Sequence, residues 1–262
     1  MSGIQIAHAG RKASADLPWK GGAHLSEAQG GWQTIAPSAI PFGAELPKVP
    51  RAMTAADIVR VQKDFVAAAK RALTAGFEWL ELHAAHGYLF NEFLSPLANQ
   101  RTDNYGGGFE NRTRFLLDTT RAVRQVWPDR LPLAVRISAI DWMEGGWDIE
   151  QSIALAKLLK AEGVDLMDCS SGGLVPDAKI VVKPGYQVPF AEKIRQGANI
   201  LTAAVGFITE PKQADDIIRN GQADVVLLAR QMLVDPYWPL RAATALGQKD
   251  KLPPPNQYAR AW

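Results

Sequence analysis

Six short apolar segments punctuate the chain, at Ile4 to Ala7, Trp79 to His83, Leu133 to Ser138, Leu166 to Ser170, Leu201 to Val205 and Val225 to Ala229. Each reads as a buried strand. The stretches between them carry helical periodicity. Ile58, Val61, Phe65, Ala68 and Ala72 keep a three-four spacing behind the capping sequence Thr54-Ala-Ala-Asp57. Phe115, Thr119, Ala122, Val123 and Val126 repeat the pattern after Asn111, and Ile149, Ile153, Ala156 and Leu159 follow Asp148, with Asn111 and Asp148 as expected helix caps. Strict alternation of strand and helix implies a parallel sheet with helices outside it, because parallel strands need a long crossover between them.

Such a chain closes into a barrel or stays open as a doubly wound sheet, and the polar residues decide. His8, His83 with His86, Arg136, Ser170 with Ser171, Gly206 and Arg230 fall at or just beyond the carboxyl end of a strand. Chemistry at every strand end favours a barrel, where all strands feed one central site. An open sheet concentrates chemistry at one switch point, and no G-x-G-x-x-G follows a strand here. The expected fold is therefore an α/β, (β/α)8 TIM barrel, with six of the eight units visible in a single domain over residues 1–262. The segment Gly10 to Met53 holds five prolines and the pairs Gly21-Gly22 and Gly30-Gly31. It reads as a long loop or lid over residues 10–53, with room for a small hairpin, rather than as two more barrel strands.

Charge and cysteine content narrow the partners. The 29 basic and 27 acidic residues are spread along the chain for a net charge of +2, so no footprint for nucleic acid or a membrane surface exists and small molecules are expected instead. A lone Cys169 forms no internal disulfide or cysteine metal cage, which suits a reducing cytoplasm. No apolar run spans a bilayer, and Met1-Ser2-Gly3 lacks the features of a signal peptide.

The motifs are more particular. "IQIAHAGRKAS", "APSAIPF", "ELHAAHGYLFNEFLSPLANQRTDNYGGGFENRTRF", "VRIS", "PGYQVPFAEKIR", "GFIT" and "LLARQMLVDPYWP" follow one another along the chain. In content and order they resemble the Old Yellow Enzyme family, most of all its bacterial, thermophilic-like branch. The resemblance implies an FMN-dependent ene-reductase, in which the flavin passes a hydride from NADPH or NADH to the C=C bond of an activated alkene. It also implies that two β/α units of the family precede the Gln5 strand, so that the chain corresponds to the last three quarters of the enzyme.

Residue roles follow from that resemblance. Hydride addition to an enone builds negative charge on its carbonyl oxygen, which calls for converging hydrogen-bond donors. His83 and His86 match the family's oxyanion clamp. Tyr88 matches the proton donor to the α-carbon, a role open to a protonated phenol within reach. Gln5 matches the glutamine that pairs with the flavin's pyrimidine edge, and its amide offers both donor and acceptor. Arg136 matches the arginine near flavin N1 and O2, the alternative being a buried structural ion pair. Gly206, Ala229 and Arg230 occupy the loops after the last two strands, where barrels bind phosphate. Ala229 departs from the Gly-Arg that many relatives carry there. Gly172 and Gly173 permit a turn near the flavin. Arg260, in "YARAW", matches an arginine that reaches into a neighbouring subunit's site, which implies a homodimer or higher homo-oligomer. Trp19, Trp32 and Phe42 either shape a substrate pocket or form a capping aromatic cluster. Two rival readings stand beside this one: a zinc hydrolase barrel with His8, His83 and His86 as ligands and Asp141 as base, and a catalytically silent barrel fragment that needs a partner chain.

Overall fold

A computed structural model describes residues 1–261. Its strands, in chain order, are β1 (Gly3–Ile6), β2 (Ile35–Ala36), β3 (Arg51–Ala52), β4 (Trp79–Ala84), β5 (Leu133–Ser138), β6 (Leu166–Ser170), β7 (Leu201–Val205) and β8 (Val225–Leu227). The α-helices are α1 (Ala55–Thr74), α2 (Leu89–Leu94), α3 (Phe109–Arg124), α4 (Ile149–Ala161), α5 (Val188–Ala198), α6 (Pro211–Arg219), α7 (Arg230–Val234) and α8 (Trp238–Ala245). Six strands form one sheet in the order β1-β4-β5-β6-β7-β8, with every pair parallel. Each strand lies beside the next in sequence, the arrangement of a barrel wall rather than of a doubly wound sheet with a switch point. The result is a partial barrel of six strands with β1 and β8 at its edges. Among the described residues no helix is long and apolar enough to cross a membrane.

Alternation along the strands sends neighbouring side chains to opposite faces. Leu80, Leu82, Leu133, Val135, Ile137, Met167 and Cys169 face outward into the main core, where they meet apolar residues of the helices such as Ile58, Phe65, Phe115, Leu155 and Ile194. A second, small cluster of Ala134, Leu166 and Ala203, flanked by Trp79 and Leu227, fills the inner face toward the amino ends of the strands. Above that plug the inner positions turn polar: Glu81 and His83 on β4, Arg136 and Ser138 on β5, Asp168 and Ser170 on β6. A wall that is apolar outside and below, and polar at the carboxyl end, directs chemistry to one rim.

The helix signals hold for α1 and α4. Thr54 and Asp57 form a reciprocal capping box, Asp57 N–H to Thr54 Oγ1 at 3.1 Å and Thr54 N–H to Asp57 Oδ2 at 2.9 Å, and Asp148 accepts the Gln151 N–H at 2.8 Å. Three expectations need correction. α3 starts at Phe109 behind Gly108, so Asn111 lies in its first turn, where Oδ1 accepts from Arg114 Nη2 rather than capping the helix. Strand β8 stops at Leu227, because the backbone at Ala229 (φ −93°, ψ −81°) already turns into α7. Residues 10–53 contain no regular hairpin: short 3-10 turns lead to β2 and β3, which pair in parallel through Arg51 N–H to Thr34 O and Met53 N–H to Ala36 O. Arg11 roots this segment. It is 2% exposed, and its guanidinium donates to Ile40 O, Pro41 O and Leu174 O.

Candidate active site

The strand-to-turn junction after β4 brings His83, His86 and Tyr88 together. His83, 5% exposed, accepts the Ala85 N–H on Nδ1 at 3.2 Å, so its proton sits on Nε2. His83 Nε2 lies 3.2 Å from His86 Nδ1, and His86 Nε2 lies 2.6 Å from Ser170 Oγ. The Tyr88 ring, half-buried at the N-cap of α2, sits 4.7 Å from the His83 ring between centroids. Burial and the nearby Arg136 charge pull both imidazoles down, His83 to about 4 and His86 to about 3. Both are therefore neutral donors near pH 7.

That depression has a sign in the stability of the fold. Each group is depressed relative to its unfolded value, so its contribution is complete above pH 6.5 and is lost as pH falls toward the folded values. Each histidine supplies a slope approaching about 1.4 kcal/mol per pH unit below pH 6. Chemical denaturation at pH 6 and pH 5 should show His86→Gln losing less stability over that interval than the parent chain, by about 1 kcal/mol. Equal losses in the two proteins would mean that His86 is not held neutral.

The His86 turn is costly and is clamped from three sides. His86 has φ 58°, in the left-handed region that non-glycine residues seldom occupy. Its N–H donates to Ser138 Oγ at 2.9 Å, and Ser138 Oγ donates to Gly172 O at 2.7 Å. Lys12 Nζ donates to His86 O at 2.8 Å and to Gly173 O. Gly173 (φ 86°) lies so close that a Cβ there would come 2.8 Å from His86 Cα, which gives the Gly172-Gly173 turn a physical reason. Lys12 is the site residue that strand-end reasoning missed, since it lies six residues past β1 in a turn. Burial and the adjacent Arg11 lower it to about 8, and its ammonium rests 4.1 Å from the Phe42 ring centroid. Phe42 thus seats the lysine, while Trp19 and Trp32 are exposed.

A polar row crosses the inner face below the histidines. Gln5, on the exposed edge strand, donates Nε2 to Glu81 Oε1, and Glu81 is its register partner on β4. Arg136, on β5, is the register partner of His83 on β4 and of Asp168 on β6. Its Nε approaches Asp168 Oδ2 to 3.2 Å, so the ion pair weighed as the alternative for Arg136 is present. The pair is not aligned as a hydrogen bond, and the buried Arg136 Nε has no hydrogen-bond partner. Burial raises both Asp168 and Glu81 in spite of the Arg136 charge.

The third group lies along the rim, at the ends of β7 and β8. Gly206, Ala229 and Arg230 line a cleft of about 230 Å³ with Phe207 and Gln231. Ala229 and Arg230 are exposed, and the Arg230 guanidinium lies 4.7 Å from the Phe207 ring centroid. Gly206 (φ 121°) has no room for a Cβ, which would come 2.9 Å from Gln187 Nε2. Arg260 is exposed in the 3-10 turn Asn256–Ala261. These residues fit FMN: the half-buried Arg136 guanidinium, held at one edge by Asp168, carries a fixed positive charge beside the histidines, and an open cleft ends at a second guanidinium suited to phosphate. The zinc constellation does not assemble. His8 Nδ1 accepts the Gly10 N–H, Asp141 Oδ2 accepts from Ser95 Oγ and the Trp147 N–H, and among the described residues no three metal-ligating side chains converge.

Comparison with known proteins identifies the family. Residues 1–249 match the NADH:flavin oxidoreductase / NADH oxidase family. An NADPH dehydrogenase of Geobacillus sp. (strain WCH70) is 52% identical over 260 residues, covering 99% of this chain and 70% of the relative. Among solved structures, a 2-naphthoyl-CoA reductase complex superposes with a TM-score of 0.80 at 27% identity, over 95% of this chain and 38% of that one. The Old Yellow Enzyme homologue of Zymomonas mobilis gives 0.73 at 28% identity, over 92% of this chain and 66% of that one. With its strand order, its rim chemistry and these matches in accord, the chain belongs to the NADH:flavin oxidoreductase / NADH oxidase family, the Old Yellow Enzyme family of FMN-dependent, NAD(P)H-oxidising enzymes.

Proposed function

We propose that the chain serves as an ene-reductase for α,β-unsaturated carbonyl compounds and similarly activated alkenes, on an FMN-binding domain built as six units of an eight-unit barrel. One observation carries the reading: two neutral imidazoles and a phenol gather at one strand end, beside a half-buried guanidinium. When bound, FMN supplies the hydride, taken from NADPH or NADH and delivered to one carbon of the double bond. His83 and His86 offer N–H groups to the carbonyl oxygen, whose charge grows as the hydride arrives, and fixed donors stabilise that charge without reorganising. Tyr88, next to the His83 ring, passes its phenolic proton to the other carbon.

The remaining residues bind and orient. Arg136 would hold positive charge beside the bound flavin, and Gln5 would offer its amide to it. Gly206, the Ala229 backbone and Arg230 receive the phosphate. Residues 10–53 roof the site, and Arg260 completes the site of a neighbouring copy in a homo-oligomer working in the cytoplasm.

The test begins with colour. Protein purified with FMN should be yellow and should develop a long-wavelength band when 4-hydroxybenzaldehyde, a phenol whose anion mimics the charged oxygen, is added. Tyr88→Phe should keep that band yet slow reoxidation by an enone about 10-fold or more, the scale at which a general acid contributes. Yellow protein with no band, and with enone turnover unchanged by Tyr88→Phe, would overturn the reading.

A further inference from the structure

The histidine pair does not end at His86. Ser170 Oγ, 2.6 Å from His86 Nε2, lies 3.3 Å from Gln187 Oε1, which also accepts from Ser171 Oγ at 2.7 Å, and Gln187 Nε2 donates to Val205 O at 3.0 Å. Ser170, Ser171 and Gln187 are 4%, 6% and 3% exposed. The chain of contacts is anchored by main chain at both ends, a donor at Ala85 N–H and an acceptor at Val205 C=O. These two groups cannot exchange roles, so every link between them has one direction. Ala85 N–H requires a lone pair on His83 Nδ1, which places the proton on Nε2. His83 Nε2–H then donates to His86 Nδ1, and His86 carries its own proton on Nε2 and gives it to Ser170 Oγ. Ser170 O–H points to Gln187 Oε1, because Val205 O has already claimed the amide nitrogen.

We infer that Ser170, backed by Gln187, is a positioning residue that holds His86 as the Nε2–H tautomer beside a His83 already fixed by the Ala85 N–H, and latches the pair: an anionic oxygen is gripped by taking over the places of His86 Nδ1 and Ser170 Oγ. The inference rests on the proposed role of the pair as an oxygen grip, and it adds a consequence for the rim. Gln187 ties the latch to the carbonyl immediately before Gly206, so the grip and the cleft at the ends of β7 and β8 share one hydrogen-bonded chain.

The test reads tautomers directly. Long-range proton–nitrogen correlation spectra of protein labelled with 15N-histidine, near pH 7 and without added phenol, should show both His83 and His86 with protonated Nε2 and bare Nδ1. In Ser170→Ala the His86 nitrogens should move toward the averaged shifts of a mixed tautomer, while His83 Nδ1, held by backbone, stays in place. Ser170→Thr should restore the parent pattern. A His86 proton on Nδ1 in the parent protein, or identical His86 shifts in parent and Ser170→Ala, overturns the latch whether or not the variant is fully stable. Titration of the flavin-loaded protein with 4-hydroxybenzaldehyde separates the two ideas: the expected tautomers with no response at either histidine support the latch and refute the grip.

Discussion

Replacing His83 with alanine should lower the rate of enone reduction about 100- to 1000-fold, the usual cost of removing one fixed donor from an oxyanion site, while reduction of the flavin by NADPH changes far less. The asymmetry comes from where His83 acts. It lies on β4 with its one proton on Nε2, directed into the site, whereas hydride transfer from a nicotinamide builds no charged oxygen for that proton to meet. Its loss also leaves His86 Nδ1 without its donor, so two elements of the grip are disturbed by one substitution. The phenol-induced band should disappear with the same change. Stopped-flow measurement of the two half-reactions checks this. Equal slowing of both would assign His83 to holding the cofactor, and an unchanged oxidative half-reaction would remove it from the chemistry.

Strand positions were legible because burial on both faces of a parallel wall leaves runs that no turn or surface helix shares; β5, β6 and β7 match their apolar segments residue for residue. The rim was legible for the same reason, since a polar side chain at the end of such a run has few places to go except the barrel mouth. What was hidden depends on distant partners. Asn111 has the chemistry of a cap, yet α3 begins earlier because Phe109 and Arg112 pack and bond at its first turn, Arg112 reaching Leu94 O and Gln151. The parallel pairing of β2 with β3 joins segments separated by 14 intervening residues, and no local turn signal announces such a contact. The clamp by Lys12 on His86 spans 74 positions. Asp168 carried no signal at all: a carboxylate in an apolar run becomes intelligible once Arg136 is seen beside it in register.

Arg11→Ala should destabilise the chain by about 3–4 kcal/mol, because the buried carbonyl of Leu174 and the part-buried carbonyls of Ile40 and Pro41 lose a charged donor whose hydrogen bonds each contribute about 1 kcal/mol or more. Glu92 does not add an uncompensated charge to that loss. Burial raises it to about 8, so it is largely protonated at pH 7, and it still accepts the residue-11 backbone N–H. The effect should therefore concentrate in what the guanidinium ties together, residues 10–53 on one side and the loop after β6 on the other. Lys12, next to Arg11, steadies the His86 turn against Gly173 in that same loop, so the variant should also weaken phenol binding although Arg11 touches neither histidine. Limited proteolysis should cut first within residues 10–53 of the variant at a concentration that leaves the parent intact, alongside a lowered denaturation midpoint. A variant with parental stability and an uncleaved 10–53 segment would show that this segment is held by something other than its buried arginine.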